Sequence, residues 1–337
     1  MIIDNTLYPV KLNGKYGYIN KTGEICIKPQ FDYAEEFNDG LAIISIGEKV
    51  KFIDRKGNFK GEIEYDDVYD ISEGYTVVEL NKKKGYINSS ANLVIEIKYD
   101  EAYGFKEGLA AVKVGYKWGY IDTLGKVIIE SQFLDASDFS DGIALVQLGG
   151  KLGYIDKTGN MVIEPKYDYA NKFSEGLAAV QVNNRYGYIN RQGNMAIAAK
   201  YSTANDFNQG LAVVEVNDKY GFIDRNGEIV VPLKYDWADD FYEGYAAIAV
   251  GEKYGFIDKL GVEIIVPKFD NVDTISEGLI SVEVNNKWGY VNKESKFIIA
   301  PIFDEVGMFI NGISKVLFEN RIRYIDTLGE YIWCNEA

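Results

Sequence analysis

One cassette, basic–aromatic–Gly–aromatic–Ile–Asp/Asn, recurs at a fixed 34-residue interval along the chain. Its glycine slot holds Gly17, Lys51, Gly85, Gly119, Gly153, Gly187, Gly221, Gly255, Gly289 and Arg323. A chain of 337 residues would ordinarily suggest about two domains. A register with no slip instead describes a single repeat array over 1–337, in which neighbouring units bury each other's faces. The units run 7–40, 41–74, 75–108, 109–142, 143–176, 177–210, 211–244, 245–278, 279–312 and 313–337. The last is read as a C-terminal cap, because Ile322 and Arg323 replace the aromatic and the glycine.

Leu177 to Gly210 shows what one unit contains. Leu177–Val182 (LAAVQV) is β-branched and alternating, the pattern of a strand. Asn183-Asn184 tolerate positive φ, as a two-residue hairpin turn requires, and the same slot holds Asn13-Gly14, Gly149-Gly150 and Asn217-Asp218. A second strand follows to Ile189 and ends at Asn190, in a slot that is Asp or Asn in every unit. Three residues on comes glycine, as in Gly125, Gly159 and Gly193, the signature of a tight turn. A third strand, such as Met161–Glu164, is then expected to stop at proline (Pro165; also Pro29, Pro232, Pro267, Pro301). The linker reads aromatic–Asp–x–Ala/Val–x–x–Phe–x–acid–Gly, as in Tyr167, Asp168, Ala170, Phe173, Glu175 and Gly176. Its apolar spacing suggests one helical turn capped by the Asp, with a positive-φ exit at the glycine.

Repeated breakers rule out paired helices, and antiparallel hairpins speak against a parallel β-helix. The expected fold class is all-β: an open, superhelical, solenoid-like array of ten three-stranded antiparallel β-meanders. The alternative is a β-propeller, whose blades ordinarily carry four strands.

Lys117-Trp118-Gly119-Tyr120-Ile121-Asp122 and Lys287-Trp288-Gly289-Tyr290-Val291-Asn292, each followed by a V-I-x-P-like strand and an F-x-E-G-L-A-like return, carry a resemblance. The chain resembles the WG (KWG) repeat family of bacterial β-repeat proteins over essentially its whole length. Departures are the tyrosines at 16, 186, 220 and 254 and the eroded cassettes at Val50-Lys51 and Ile322-Arg323. The resemblance implies an interaction scaffold and brings no catalytic residue with it.

Chemistry is constrained by composition. There is no histidine, so no Ser/His or Cys/His pair and no histidine metal site is available. No catalytic, cofactor-binding or metal-ligating residue is assigned, no cofactor is implied, and the protein is read as a non-enzyme. A net charge of −15 disfavours nucleic acid and anionic membrane surfaces as partners. No apolar run reaches membrane-spanning length. The first residues show no leader pattern, which points to a cytoplasmic protein, or to a secreted one if a leader has been removed. Cys26 fills an Ile/Val slot and is expected to be buried, with Cys334 a terminal thiol.

The columns also carry expectations. The first slot of the cassette is basic in all ten units and is expected to pair with nearby carboxylates. The acidic slot before the linker glycine (Asp39, Glu73, Glu107, Asp141, Glu175, Glu243, Glu277) is read as solvated, with calcium as a weaker reading. Mid-strand glycine marks a close approach, expected to be an aromatic ring such as Phe31, Phe37, Phe139, Tyr167, Tyr235 or Phe241. Slots filled alike in every unit build the frame; slots that differ confer selectivity. The candidate interaction surface is therefore Glu35, Glu36, Tyr103, Asn171, Lys172, Asp239 and Asp240 in the linkers, with Trp118 and Trp288 in the cassettes. The expected partner is a protein. The alternative is a glycan or choline stacked on the aromatics before glycine (Tyr16, Trp118, Tyr186, Tyr220, Tyr254, Trp288).

Overall fold

The computed structural model describes residues 6–38 and 40–334, with all their side chains except those of Asp70 and Cys334. Asp39, in the acidic slot, falls outside the described residues. The expected hairpins form: Leu177–Val182 pairs with Arg185–Asn190 across a turn in which Asn183 and Asn184 have φ of 51° and 60°. The Asp-x-x-Gly turns form as well. Asp156 Oδ1 accepts from the backbone N–H of Thr158 and Asn160, while Gly159 N–H donates to the Asp156 carbonyl.

The third strand does not stop at proline. Met161–Tyr167 runs through Pro165, and its register shows why this is allowed. Leu152 pairs with Tyr167 and Tyr154 with Ile163, so Gly153 alone faces three residues, Glu164, Pro165 and Lys166. The surplus makes a bulge opposite Gly153, where proline has no ladder bond to lose. A Cβ on Gly153 would lie 2.7 Å from the Ile163 carbonyl oxygen and 2.7 Å from Pro165 N. The close approach that demands glycine is thus the neighbouring backbone, not an aromatic ring.

The linker is not a helical turn. Its aromatic–Asp–x–Ala segment forms a two-residue strand, as at Glu101–Ala102 and Asp135–Ala136, that bonds to the first hairpin of the following unit. Asp100 does not cap a helix; its backbone N–H joins the same edge by donating to the Lys113 carbonyl, 3.0 Å. The exit is left-handed as expected, at Glu107 (φ 53°) and Gly108 (φ 83°).

Each sheet is therefore a linker strand, the two hairpin strands and the long bulged strand, antiparallel and in chain order. The described residues contain ten such sheets, eight four-stranded and two, Tyr8–Phe31 and Leu177–Tyr201, three-stranded. Among the described residues no strand ladder joins one sheet to the next. Neighbours meet face to face instead: Leu109, Trp118, Tyr120, Ile129 and Phe133 of one sheet pack on Ala136, Phe139, Ala144, Val146 and Ile155 of the next. Adjacent side chains on one strand, such as Tyr120 and Ile121, are both fully buried because each face is covered by a different neighbour.

These are the blades of a β-propeller arrangement, the alternative reading; the expectation of an open solenoid of three-stranded meanders is corrected. The short linker strand completes each blade, and the two buried faces leave no role for edge-to-edge growth. By contact the chain divides into two compact units, Met1–Phe173 and Ser174–Ala337, each holding five sheets. Cys26 is exposed, against expectation, because the two first positions of its strand, Ile25 and Cys26, precede the buried Ile27.

Candidate interaction surface

Most of the polar columns are engaged in the frame. The cassette lysine reaches the linker Asp 17 residues on, with Nζ to Oδ1 at 2.5 to 2.6 Å for Lys15–Asp32, Lys83–Asp100, Lys151–Asp168, Lys219–Asp236, Lys253–Asp270 and Lys287–Asp304. The second carboxylate oxygen accepts from the next hairpin turn, as Asp100 does from Gly115 N–H at 2.8 Å and Asp236 from Gly251 N–H at 2.7 Å. Hydrogen bonding to the lysine is the main cause holding Asp32, Asp66, Asp100, Asp236, Asp270 and Asp304 below the usual carboxylate range. The expected local pairing of the basic column holds for these lysines.

The tyrosine after glycine inserts between blades. Tyr18, Tyr86, Tyr120, Tyr154, Tyr188 and Tyr290 each donate their hydroxyl to a linker carbonyl 17 residues on, at 2.7 to 2.8 Å. Their rings lie 4.8 to 4.9 Å from the linker phenylalanines at 37, 105, 139, 173, 207 and 309. Burial drives the Tyr86, Tyr120 and Tyr188 hydroxyls far above the ordinary phenol range.

The acidic column is not merely solvated. Glu73 accepts from the N–H groups of Glu107 and Gly108, Glu107 from Gly142, Glu175 from Gly210 and Glu277 from Gly312. Gln209 does the same for Gly244 through Oε1. Each carboxylate thus clasps the turn of the following blade. No cluster of three or more acidic, cysteine or histidine side chains placed to hold a metal occurs among the described residues.

The candidate residues separate into two groups. Glu35, Glu36, Tyr103, Lys172 and Asp239 are exposed and Asn171 and Asp240 half-buried; all lie in linkers, after a linker strand except at Asn171 and Lys172, whose linker forms none. Trp118 is buried, its ring stacked on Tyr103 at 4.8 Å with the planes 16° apart, and Trp288 is half-buried. Tyr103 thus presents the surface and Trp118 supports it. Other aromatics before glycine are engaged too: Tyr16 packs edge-on to Tyr33 and Tyr254 to Trp237.

Two departures from the repeat escaped the sequence reading. The linker Phe slot holds Ile71 and Ile275, and at both places the preceding tyrosine slot is also changed, to Phe52 and Phe256. With a smaller side chain and no hydroxyl to bond the linker, the linker strand lengthens to six residues, Asp67–Ser72 and Asn271–Ser276. A cavity opens at each. One, of about 320 Å³, is lined by Glu35, Glu36, Phe37, Leu41, Ile43 and Ile71. The other, of about 130 Å³, is lined by Asp239, Asp240, Tyr242, Tyr245, Phe256 and Thr274 among others. Asp239 lies 204 residues after Glu35 (239 − 35), six periods, so both cavities use the same slots. Comparing the ten copies for paired departures, rather than for shared residues, would have found them. Burial raises the Asp240 carboxyl, against the lowering effect of its hydrogen bond from Asn205, and burial also raises Asp273 at the same cavity.

Propeller-type blades built from a phased repeat define the class. The sequence profile described as WG containing repeat matches nine segments, 16–49, 52–83, 85–118, 118–151, 153–186, 186–220, 220–254, 254–288 and 288–321. This chain belongs to the WG-repeat family. No curated protein matches it. Among solved structures, the crystal structure of a eukaryotic initiation factor is similar in fold, at 12% identity and a TM-score of 0.57, over 94% of this chain and 96% of that one. Hsv2p of Kluyveromyces lactis is similar at 9% identity and a TM-score of 0.39, over 66% of this chain and 91% of that one. The extracellular domain of BT4673, a one component system of B. thetaiotaomicron, gives 9% identity and a TM-score of 0.32, over 98% of this chain and 57% of that one.

Proposed function

We infer that the protein is a non-enzymatic scaffold that binds another protein through the irregular residues of its linkers. One observation carries the reading: recurrent lysines, tyrosines and acids bond to one another and to backbone, while Glu35, Glu36, Tyr103, Lys172 and Asp239 stay exposed. A rigid frame that holds unlike side chains at equivalent places suits selective recognition, because little ordering cost is left for binding. The absence of histidine leaves few routes to acid–base catalysis near neutral pH. A glycan ladder would need open ring faces, and Trp118 has one face covered by Tyr103.

The test is affinity capture from the source cell, identification of the retained protein, and titration of that purified partner. Charge reversal at E35K/E36K or D239K/D240K is expected to weaken binding by about tenfold or more, in line with loss of charged interface contacts. Unchanged affinity in both variants and in Y103A would sink the assignment. Tryptophan fluorescence titrated with cell-wall fragments is expected to stay flat.

A further inference from the structure

We propose that the two cavities at Ile71 and Ile275 are sockets for lysine side chains presented by a protein partner. This rests on the scaffold reading and names the chemistry its surface selects.

Each cavity exists because the array breaks its own rule twice in concert. Wherever Tyr faces Phe across neighbouring blades, the ring and its hydroxyl fill the interface, as Tyr120 and Phe139 do. Phe222 with Phe241, 4.7 Å apart, keeps the ring contact without the hydroxyl. Phe256 and Ile275 line one of the two cavities; Ile71 lines the other and, with Phe52, a small pocket beside it.

The lining has two parts. The apolar part is Phe37, Leu41, Ile43 and Ile71 in the first unit, and Ala247, Phe256 and Ile275 with two tyrosines in the second. The mouth is anionic, with Glu35 and Glu36 in one case and Asp239 and Asp240 in the other. An aliphatic stem tipped by a cation matches both parts, since a lysine buries its methylenes against apolar surface and keeps its ammonium at a polar rim. The smaller cavity, about 130 Å³, is close to the volume that takes one benzene-sized group, about 150 Å³. It suits one side chain rather than a cofactor.

Within the second unit an ammonium already rests on this wall. Lys293 Nζ lies 4.7 Å from the Tyr245 ring centroid and donates to its hydroxyl at 2.6 Å. The ammonium sits at the hydroxyl edge of the ring, so this wall already accepts a cation. Thr274 lines the same cavity, and its buried hydroxyl has no hydrogen-bond partner among the described residues. In the first unit the slot of Lys293 is Ser89 (293 − 204), and no lining residue there is cationic.

The probe is fluorescein-labelled tetralysine, with its fully Nε-acetylated counterpart as the uncharged control. Labelled isoleucine methyls in the full-length protein report where it seats. Tetralysine is expected to shift the Ile71 and Ile275 methyl signals, and the acetylated peptide is not. The variant I71F/I275F restores the residue of the other linkers and leaves net charge unchanged. It is expected to weaken binding by about tenfold or more, as is E35Q/E36Q/D239N/D240N, which leaves the cavities open. Full binding by I71F/I275F would mean diffuse attraction to an acidic protein and would overturn the proposal. So would unshifted methyls in the wild type or equal binding of the acetylated peptide, and both readouts remain if I71F/I275F fails to fold. A native partner retained equally by wild type and I71F/I275F removes the sockets but leaves the scaffold. Tetralysine seated in the cavities with no protein partner found under any condition removes the scaffold but leaves the sockets.

Discussion

Replacing Gly153 by alanine tests the central packing claim. The added Cβ would stand 2.7 Å from both the Ile163 oxygen and Pro165 N, and 2.8 Å from Pro165 Cα. All three are backbone atoms of one bulge, so no flexible side-chain end can yield. Relief requires moving the bulge, and with it Ile163, which is buried. Overpacking of this kind costs about 1–3 kcal/mol. Loss of glycine's freedom in the unfolded chain offsets about 0.4–1 kcal/mol of that. The net expectation is a destabilisation of about 1–2 kcal/mol, or roughly 2–8 °C in Tm for a unit of this size. Urea unfolding with matched calorimetry measures it. The control is Lys51, where the same slot holds a side chain: there Val50 pairs with Tyr65 and Phe52 with Lys60, and the bulge is rebuilt around Gly61 at φ 75°. K51G is expected to give no stabilisation. A Gly153→Ala protein as stable as the wild type would refute the steric argument outright.

Three further outcomes follow from the interfaces between blades. Tyr120→Phe removes the hydroxyl bond to the Ser137 carbonyl while keeping the ring on Phe139, and is expected to cost about 1 kcal/mol; thermal unfolding reads it, and no loss would mean the bond is incidental. Glu107→Gln keeps an acceptor for Gly142 N–H, as Gln209 does for Gly244, so it is expected to be milder than Glu107→Ala, which removes the clasp at about 1 kcal/mol; equal losses would place the effect in the Lys157 pairing instead. Acid titration separates two sets of carboxyls. Those of Asp32, Asp100 and Asp236 sit below their unfolded values, so their stabilisation is present above about pH 4 and is lost as pH falls through the folded values. Asp240 is raised by burial, so its ionised form opposes folding near neutral pH and protonation relieves this as pH falls. D240N is therefore expected to raise stability at pH 7 and to lose that advantage in acid, whereas K219M flattens the acid limb contributed by Asp236; a D240N protein less stable at pH 7 would contradict the burial argument.

Much of the local structure is readable from single residues. Asn183-Asn184 specify their hairpin because both need positive φ, and Asp156 with Gly159 specifies the next turn through bonds four residues apart or fewer. The pairing of the basic column was legible because every linker offers a carboxylate or hydroxyl within reach, Leu134 excepted. The linker misled because Ala170 and Phe173 satisfy a helical spacing equally well. What decides is that Asp100 N–H and Glu101–Ala102 find partners on a strand of the following unit, contacts that no local propensity encodes. Tyr103 and Trp118 both vary between units and so qualify as candidate contact positions, yet one covers the other.

The sequence alone determined the period, the hairpins, the turn chemistry and the family, because these follow from residues a few positions apart. Tertiary structure decided that a linker completes the sheet of the next unit, that sheets meet by faces instead of edges, and that glycine yields to a backbone bulge. Those outcomes depend on which surface lies across a gap of several ångströms, where a Phe and an Ile differ by one cavity. Period 34 is compatible with either stacking mode; only the atoms on the far side of each sheet choose between them.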